Sequence, residues 1–149
     1  MKKERVLVSA CLLGVNCKYN GSNNFNEKVL KLIETYELIP ICPEQLGGLP
    51  TPREPSYLSG KAEKVLEGKA KVLSQDKDVT ENFIKGAQET LKIARMYGIK
   101  KAILQEGSPS CGKNLTYYEK GKGDGMGVTA ALLKKNGIKL ISEEELERF

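Results

Sequence analysis

Short apolar runs alternate along the chain with longer stretches in which apolar residues recur every three or four positions. Residues 5–9, 38–41, 70–73, 101–104 and 139–141 are compact runs rich in branched side chains and read as strands. Residues 26–36 carry Val29, Leu30, Leu32 and Ile33 at helical spacing. The clearest helix starts at Asp78, whose side chain is placed to cap while Glu81 completes a capping box, and it runs through Phe83, Ala87, Leu91 and Ala94 to Gly98. Residues 126–135 have the same form and stop at Asn136-Gly137. Strands that alternate with helices predict parallel βαβ units with right-handed crossovers. The expected class is therefore α/β: an open, mostly parallel sheet flanked by helices, in a Rossmann-like three-layer arrangement. Three stretches stay irregular, 12–24, 43–69 and 107–125; the middle one is long enough to be a functional loop or to hide short strands.

A chain of 149 residues suits one domain over 1–149, since folding at this size removes roughly 70% of the extended chain's surface. No run of about 18 apolar residues offers a membrane span, and the start passes into a strand-like segment without a signal-peptide apolar region. The expected location is cytoplasmic, where thiols stay reduced. The four cysteines then read as core thiols, metal ligands or catalytic groups rather than disulfides. The net charge of +5 is too modest to identify a partner and reads mainly as solubility. The absence of histidine excludes Ser-His-Asp and Cys-His nucleophile pairs, imidazole acid–base chemistry and imidazole metal ligands. Chemistry must run on cysteine, carboxylate, hydroxyl, lysine or a cofactor.

Cys11 follows the first strand, Cys42 the second, and Cys111 lies in the loop after the strand ending near Leu104. Loops leaving the carboxyl ends of strands in an open parallel sheet line the ligand crevice, so these three are expected to converge. Cys17, six residues past Cys11 in the same loop, is not placed by that argument. The spacings lack paired C-x-x-C knuckles, and a single buried thiol is the ordinary reading of any one cysteine. Gly107-Ser108-Pro109-Ser110-Cys111-Gly112 can turn sharply and free its amides, or be an ordinary tight turn. Cys42-Pro43-Glu44 sets a carboxylate two residues past a candidate ligand. Residues 47–53, which present Arg53, and the glycine-rich 121–127 are possible phosphate loops, but neither matches a known phosphate fingerprint, and loop flexibility accounts for them equally well.

Taken in order, Ser9-Ala10-Cys11-Leu12-Leu13-Gly14 with Tyr19-Asn20-Gly21, then Cys42-Pro43-Glu44 with Gly47-Gly48-Leu49 and Pro52-Arg53, then Ser108-Pro109-Ser110-Cys111-Gly112, and last Gly127-Val128-Thr129-Ala130 resemble the thiouracil desulfurase (TudS-like) family. The resemblance spans essentially the whole chain. It implies an enzyme with a 4Fe-4S cluster on three cysteines, Cys11, Cys42 and Cys111, with one iron left open. The implied reaction removes sulfur from a small thiolated pyrimidine, base or nucleoside, without net redox change. Glu44 and Ser108 are the implied catalytic pair, Ser110 being the less favoured hydroxyl, and Cys17 stays outside the ligand set. Lys18, Asn20 and Tyr57 depart from the usual residues of the family, and these departures bear on the substrate rather than on the cluster. Neither a membrane nor a stable nucleic-acid partner is expected. The competing readings are a sulfur-transfer enzyme of the tRNA-thiolation type, a non-catalytic metal or redox sensor, and a metal-free nucleotide-binding module.

Overall fold

A computed structural model describes residues 2–149. In chain order the elements are β1 (Arg5–Ser9), α1 (Glu27–Leu30), β2 (Glu37–Ile41), α2 (Pro43–Leu46), β3 (Tyr57–Leu58), α3 (Ala62–Leu66) and β4 (Val72–Ser74). There follow β5 (Lys77–Asp78), α4 (Thr80–Met96), β6 (Lys101–Leu104), β7 (Leu115–Tyr118), β8 (Gly121–Asp124), α5 (Val128–Lys135) and β9 (Lys139–Ser142).

The expected parallel sheet is present, with strand order β2-β1-β6-β9 and every pairing parallel. The middles of its central strands, Val6 to Val8 and Ala102 to Leu104, are apolar and buried because both faces are covered. Leu7, Ala102 and Leu104 point toward α4 and α5, packing with Leu91, Ala94, Ala130 and Leu133. Val6, Val8 and Ile103 point the other way, onto Leu12 and Val29. Each large side chain fully buried in this way stabilises the fold by about 1.5–3 kcal/mol.

A second sheet, of order β5-β4-β3-β7-β8, was not expected. The run at 70–73 belongs here rather than to the parallel series: β4 pairs antiparallel with β3 and with β5. A short apolar run signals a strand but not its partner. The stretch 107–125, expected to be irregular, contains the antiparallel β7–β8 hairpin, and 43–69 holds α2, β3 and α3. Phe83 of α4 and Val128 of α5 pack with Leu58, Val65 and Val72 in the core beneath this second sheet.

Two local expectations change. Asp78 ends β5, and its Oδ1 accepts from the Thr80 amide at 3.0 Å and from the Thr80 hydroxyl at 2.6 Å. That local turn takes the carboxylate away from the helix, so α4 starts at Thr80 without the capping box. The segment 26–36 divides into α1, capped by Asn26, and a 3-10 turn over Lys31–Glu34. Ile33, expected on the core side, is 53% exposed as a result. No helix among the described residues is long and apolar enough to cross a membrane.

Candidate functional site

The turns leaving β1, β2 and β6 each deliver one cysteine, as the topology requires. After β1 the chain enters a 3-10 turn, Ala10–Leu13, which Gly14 closes at φ +93°. Cys11 lies on this turn, and its Sγ receives the Asn24 side-chain amide at 3.6 Å. After β2, Cys42 is the N-cap of α2, with Pro43 in the first position and Glu44 in the first turn. After β6, the 107–112 loop carries Ser108, Ser110 and Cys111. Together with Glu44, Ser108 and Arg53, all four cysteines line one cavity of about 450 Å³. Cys17, which the topological argument did not place, is there too, and it is buried.

Close backbone approaches hold these turns in place. Gly86 in α4 faces the Pro43 carbonyl so closely that a Cβ there would lie 2.0 Å from the oxygen, and a Cβ on Gly47 would lie 2.0 Å from the Asn82 carbonyl oxygen. Only glycines let α2 sit this close to α4, and α2 carries Glu44. The third loop is fixed from both ends. Glu106 accepts the backbone amides of Lys113, Asn114 and Leu115 at 2.8–3.0 Å. Burial works against its charge, but those donors outweigh it and keep the carboxyl below its ordinary range. From the other side, the amides of Gly127, Val128 and Ala130 donate to the carbonyls of Gly112, Pro109 and Ser110. The glycine-rich 121–127 segment is therefore no phosphate cradle, because these amides of the α5 N-terminus already have partners.

Within the cavity wall, Ser110 Oγ donates to Glu44 Oε1 at 2.7 Å, and Ser108 Oγ lies 3.1 Å from Ser110 Oγ. Ser108 Oγ also accepts the amides of Ser110 and Cys111, each at 3.1 Å. The expected pair of Glu44 and Ser108 thus shares a wall, with Ser110 as Glu44's direct partner. Arg53 Nη2 lies 3.7 Å from Glu44 Oε2, with both side chains at least 87% buried by their 8% and 13% exposure. The same guanidinium donates to the carbonyls of Cys17 and Pro50 and to the Thr51 hydroxyl. It points inward as a clamp, not outward as a phosphate ligand. Tyr19 and Tyr117 line the mouth, with the ammonium groups of Lys18 and Lys122 over their rings.

Burial disfavours the thiolate at Cys11 and Cys111, whereas Cys42 is shifted the other way by its bond with Cys17. Burial pushes Cys11 up to about 11, against the Asn24 hydrogen bond, with the charges of Glu44 and Cys42 adding to the rise. Burial also raises Cys111, helped by Glu44 and opposed by the Ser9 hydroxyl. The hydrogen bond between Cys17 and Cys42 raises the former and lowers the latter. A thiophilic metal reverses this balance by binding the deprotonated sulfur. No three His, Cys, Asp or Glu side chains among the described residues are placed to hold a single metal ion. Soft thiolates spread around one cavity suit a polynuclear iron–sulfur group, whose irons need not share one point.

Arg53 was visible in the sequence as an arginine on a constrained loop, but its inward direction was not. Glu106 left no signal, since a glutamate after a strand reads as surface.

Comparison with known proteins identifies the family. The family model described as 2-thiouracil desulfurase matches residues 6–145. A Bacillus subtilis (strain 168) protein named only as uncharacterized protein YbbK is 46% identical, covering 95% of this chain and 97% of its own length. A solved structure described as the 4Fe-4S-dependent thiouracil desulfidase TudS superposes with a TM-score of 0.86 at 37% identity, over 98% of this chain and 95% of the other.

Proposed function

Because the chain belongs to the 2-thiouracil desulfurase family, we propose that it is an iron–sulfur enzyme that hydrolytically removes sulfur from a thiolated pyrimidine such as 2-thiouracil, 4-thiouracil or 4-thiouridine. The whole chain, 1–149, then acts as one desulfurase domain. The observation that carries this reading is the convergence of Cys11, Cys42 and Cys111 on the cavity that also holds Glu44 and Ser108. Those three cysteines would hold a 4Fe-4S cluster, which supplies an iron without a protein ligand as a thiophilic Lewis acid toward the thiocarbonyl sulfur.

The chain's own groups handle water and protons. Net hydrolysis replaces C=S by C=O, consumes one water and releases hydrogen sulfide, so protons leave the water and reach the departing sulfur. Glu44 holds and returns a proton at Oε1, the oxygen that accepts from Ser110. Arg53 fixes the opposite oxygen and keeps the carboxylate aimed. Ser108 faces the cavity and orients the attacking water. Tyr19 and Tyr117 give the mouth aromatic surface for a planar ring.

Anaerobically reconstituted protein, incubated with 2-thiouracil, 4-thiouracil and 4-thiouridine, should lose thione absorbance of at least one substrate and release sulfide in equal amount. Glu44→Gln should cost about 10²–10⁴-fold in rate at unchanged iron content. Protein that stays colourless and iron-free after reconstitution, or that carries an intact cluster and releases no sulfide from any of the three, would overturn the proposal.

A further inference from the structure

We infer that Asn24 is a positioning residue that acts through Cys11: its side-chain amide donates to the Cys11 sulfur and tunes the iron–sulfur group which that sulfur would hold. The inference rests on the desulfuration reading above and gives the site a residue that is neither a ligand nor a carrier of protons. It starts from the path of the chain between β1 and α1. Past Cys17 the backbone enters a closed turn, in which the Gly21 amide donates to the Lys18 carbonyl at 2.8 Å and the Lys18 amide to the Ser22 carbonyl at 3.0 Å. The returning segment then zips onto the outgoing one, the amides of Asn24 and Asn26 donating to the carbonyls of Cys11 and Leu12 at 3.0 and 2.9 Å. Asn24 is thereby set beside Cys11, 13 residues away in sequence, and its Nδ2 donates to Cys11 Sγ at 3.6 Å. The same side chain lines the cavity.

A carboxamide can turn either its oxygen or its nitrogen toward a thiol, because a thiol both donates and accepts. A metal-bound sulfur has lost its proton and keeps only lone pairs, so a donor alone can face it. The Asn24 nitrogen already does, and no other acceptor among the described residues takes that amide. On the free thiol it works in the same sense, against the rise that burial imposes on Cys11. The other two proposed ligands are served differently. Cys111 has the Ser110 hydroxyl at 3.7 Å, but that proton is drawn to the Glu44 carboxylate at 2.7 Å. Cys42 Sγ faces the Cys17 carbonyl, an acceptor, at 3.7 Å. Thiolates and sulfides gathered in a part-buried cavity carry net negative charge, which is costly without donors. An N–H bond to the Cys11 sulfur draws charge from it, which favours the reduced state of the group and leaves its open iron a stronger Lewis acid.

Asn24→Leu keeps the approximate size of the side chain and the backbone bond to the Cys11 carbonyl while removing the donor. Asn24→Asp keeps the shape and turns the donor into a charged acceptor. Asn23→Ala is the control for the loop, since the Asn23 side chain bonds Asn16 and the Phe25 amide rather than a sulfur. The readouts on anaerobically reconstituted protein are the reduction potential by voltammetry and the iron–cysteine stretching bands by resonance Raman. At equal iron content the potential should fall in Asn24→Leu, fall further in Asn24→Asp and hold in Asn23→Ala. The iron–cysteine bands should move up in Asn24→Leu as the sulfur regains charge to donate. With 2-thiouracil, kcat per cluster should fall about 10–100-fold in Asn24→Leu while KM stays within about twofold. An unchanged potential in Asn24→Leu, a shift of the same size in Asn23→Ala, or a loss of rate that simply follows a loss of iron would each overturn the inference. If wild-type protein with a full cluster released no sulfide, the desulfuration reading would fail instead, and the potentials would still decide whether Asn24 tunes the group.

Discussion

Replacing Gly86 by alanine tests whether the close approach of α2 to α4 is what places Glu44. The added Cβ would lie 2.0 Å from the Pro43 carbonyl oxygen and 2.8 Å from its carbon. Ordinary non-bonded contacts need over 3 Å, so the two backbones must part by roughly 1 Å, with no flexible side chain to absorb the clash. Two effects oppose each other. Alanine is the better helix former by about 1 kcal/mol, whereas forcing extra volume into a packed contact costs about 1–3 kcal/mol. Because backbone meets backbone here, the steric cost falls at the upper end, and we expect a net loss of about 2 kcal/mol in urea denaturation. Pro43 stands between Cys42 and Glu44, so the same shift displaces both. A displacement near 1 Å at a reacting group costs on the order of 10²-fold in rate. The assay is desulfuration by anaerobically reconstituted protein, with Gln88→Ala, an exposed position of the same helix, as the control for helix propensity. A Gly86→Ala variant at least as stable as wild type and fully active would refute the argument, because the contact would then be tolerant of a methyl group.

Other expectations follow from the same geometry. Ser substitution of Cys11, Cys42 or Cys111 should each abolish full cluster assembly, whereas Cys17→Ser should retain wild-type iron and visible absorbance after reconstitution. Arg53→Lys loses the fork that spans Glu44, the Cys17 carbonyl and the Thr51 hydroxyl, and should lower stability by about 1–3 kcal/mol in chemical denaturation. Glu106 has its folded-state pKa depressed below the ordinary 4.5, so its stabilisation is complete above that pH and is lost as pH falls through the lower, folded value. Glu106→Gln should accordingly be less stable near neutrality but show a flatter acid limb when urea midpoints are compared from about pH 7 down to about pH 3.

The parallel sheet was legible because residues 6–8, 102–104 and 140–141 are buried and read as short apolar runs. The meeting of Cys11, Cys42 and Cys111 was legible too, since it follows from where parallel strands end. Cys17 was not, because its position depends on the path of a loop held by the Arg53 guanidinium, a contact 36 residues away in sequence. The second sheet hid for a different reason. β3 is two residues long, and β8, Gly-Lys-Gly-Asp, has no apolar side chain. Its strand character comes from its ladder with β7 and not from its composition. Ser108 was favoured over Ser110 by the family resemblance alone; the structure sets Ser108 on the cavity wall and leaves Ser110 fully buried beside it.

The cavity's walls have separate ancestry within the chain. The cysteines, Glu44 and the serines all sit on turns braced by the parallel sheet and its helices, whereas Tyr117 and Lys122 reach the same space from the β7–β8 hairpin. The hairpin forms the edge of the second sheet and contributes no thiol. Substitutions in it can reshape the entrance without disturbing the groups that handle sulfur and protons, so the scaffold leaves substrate preference free to drift while the reactive centre stays under constraint.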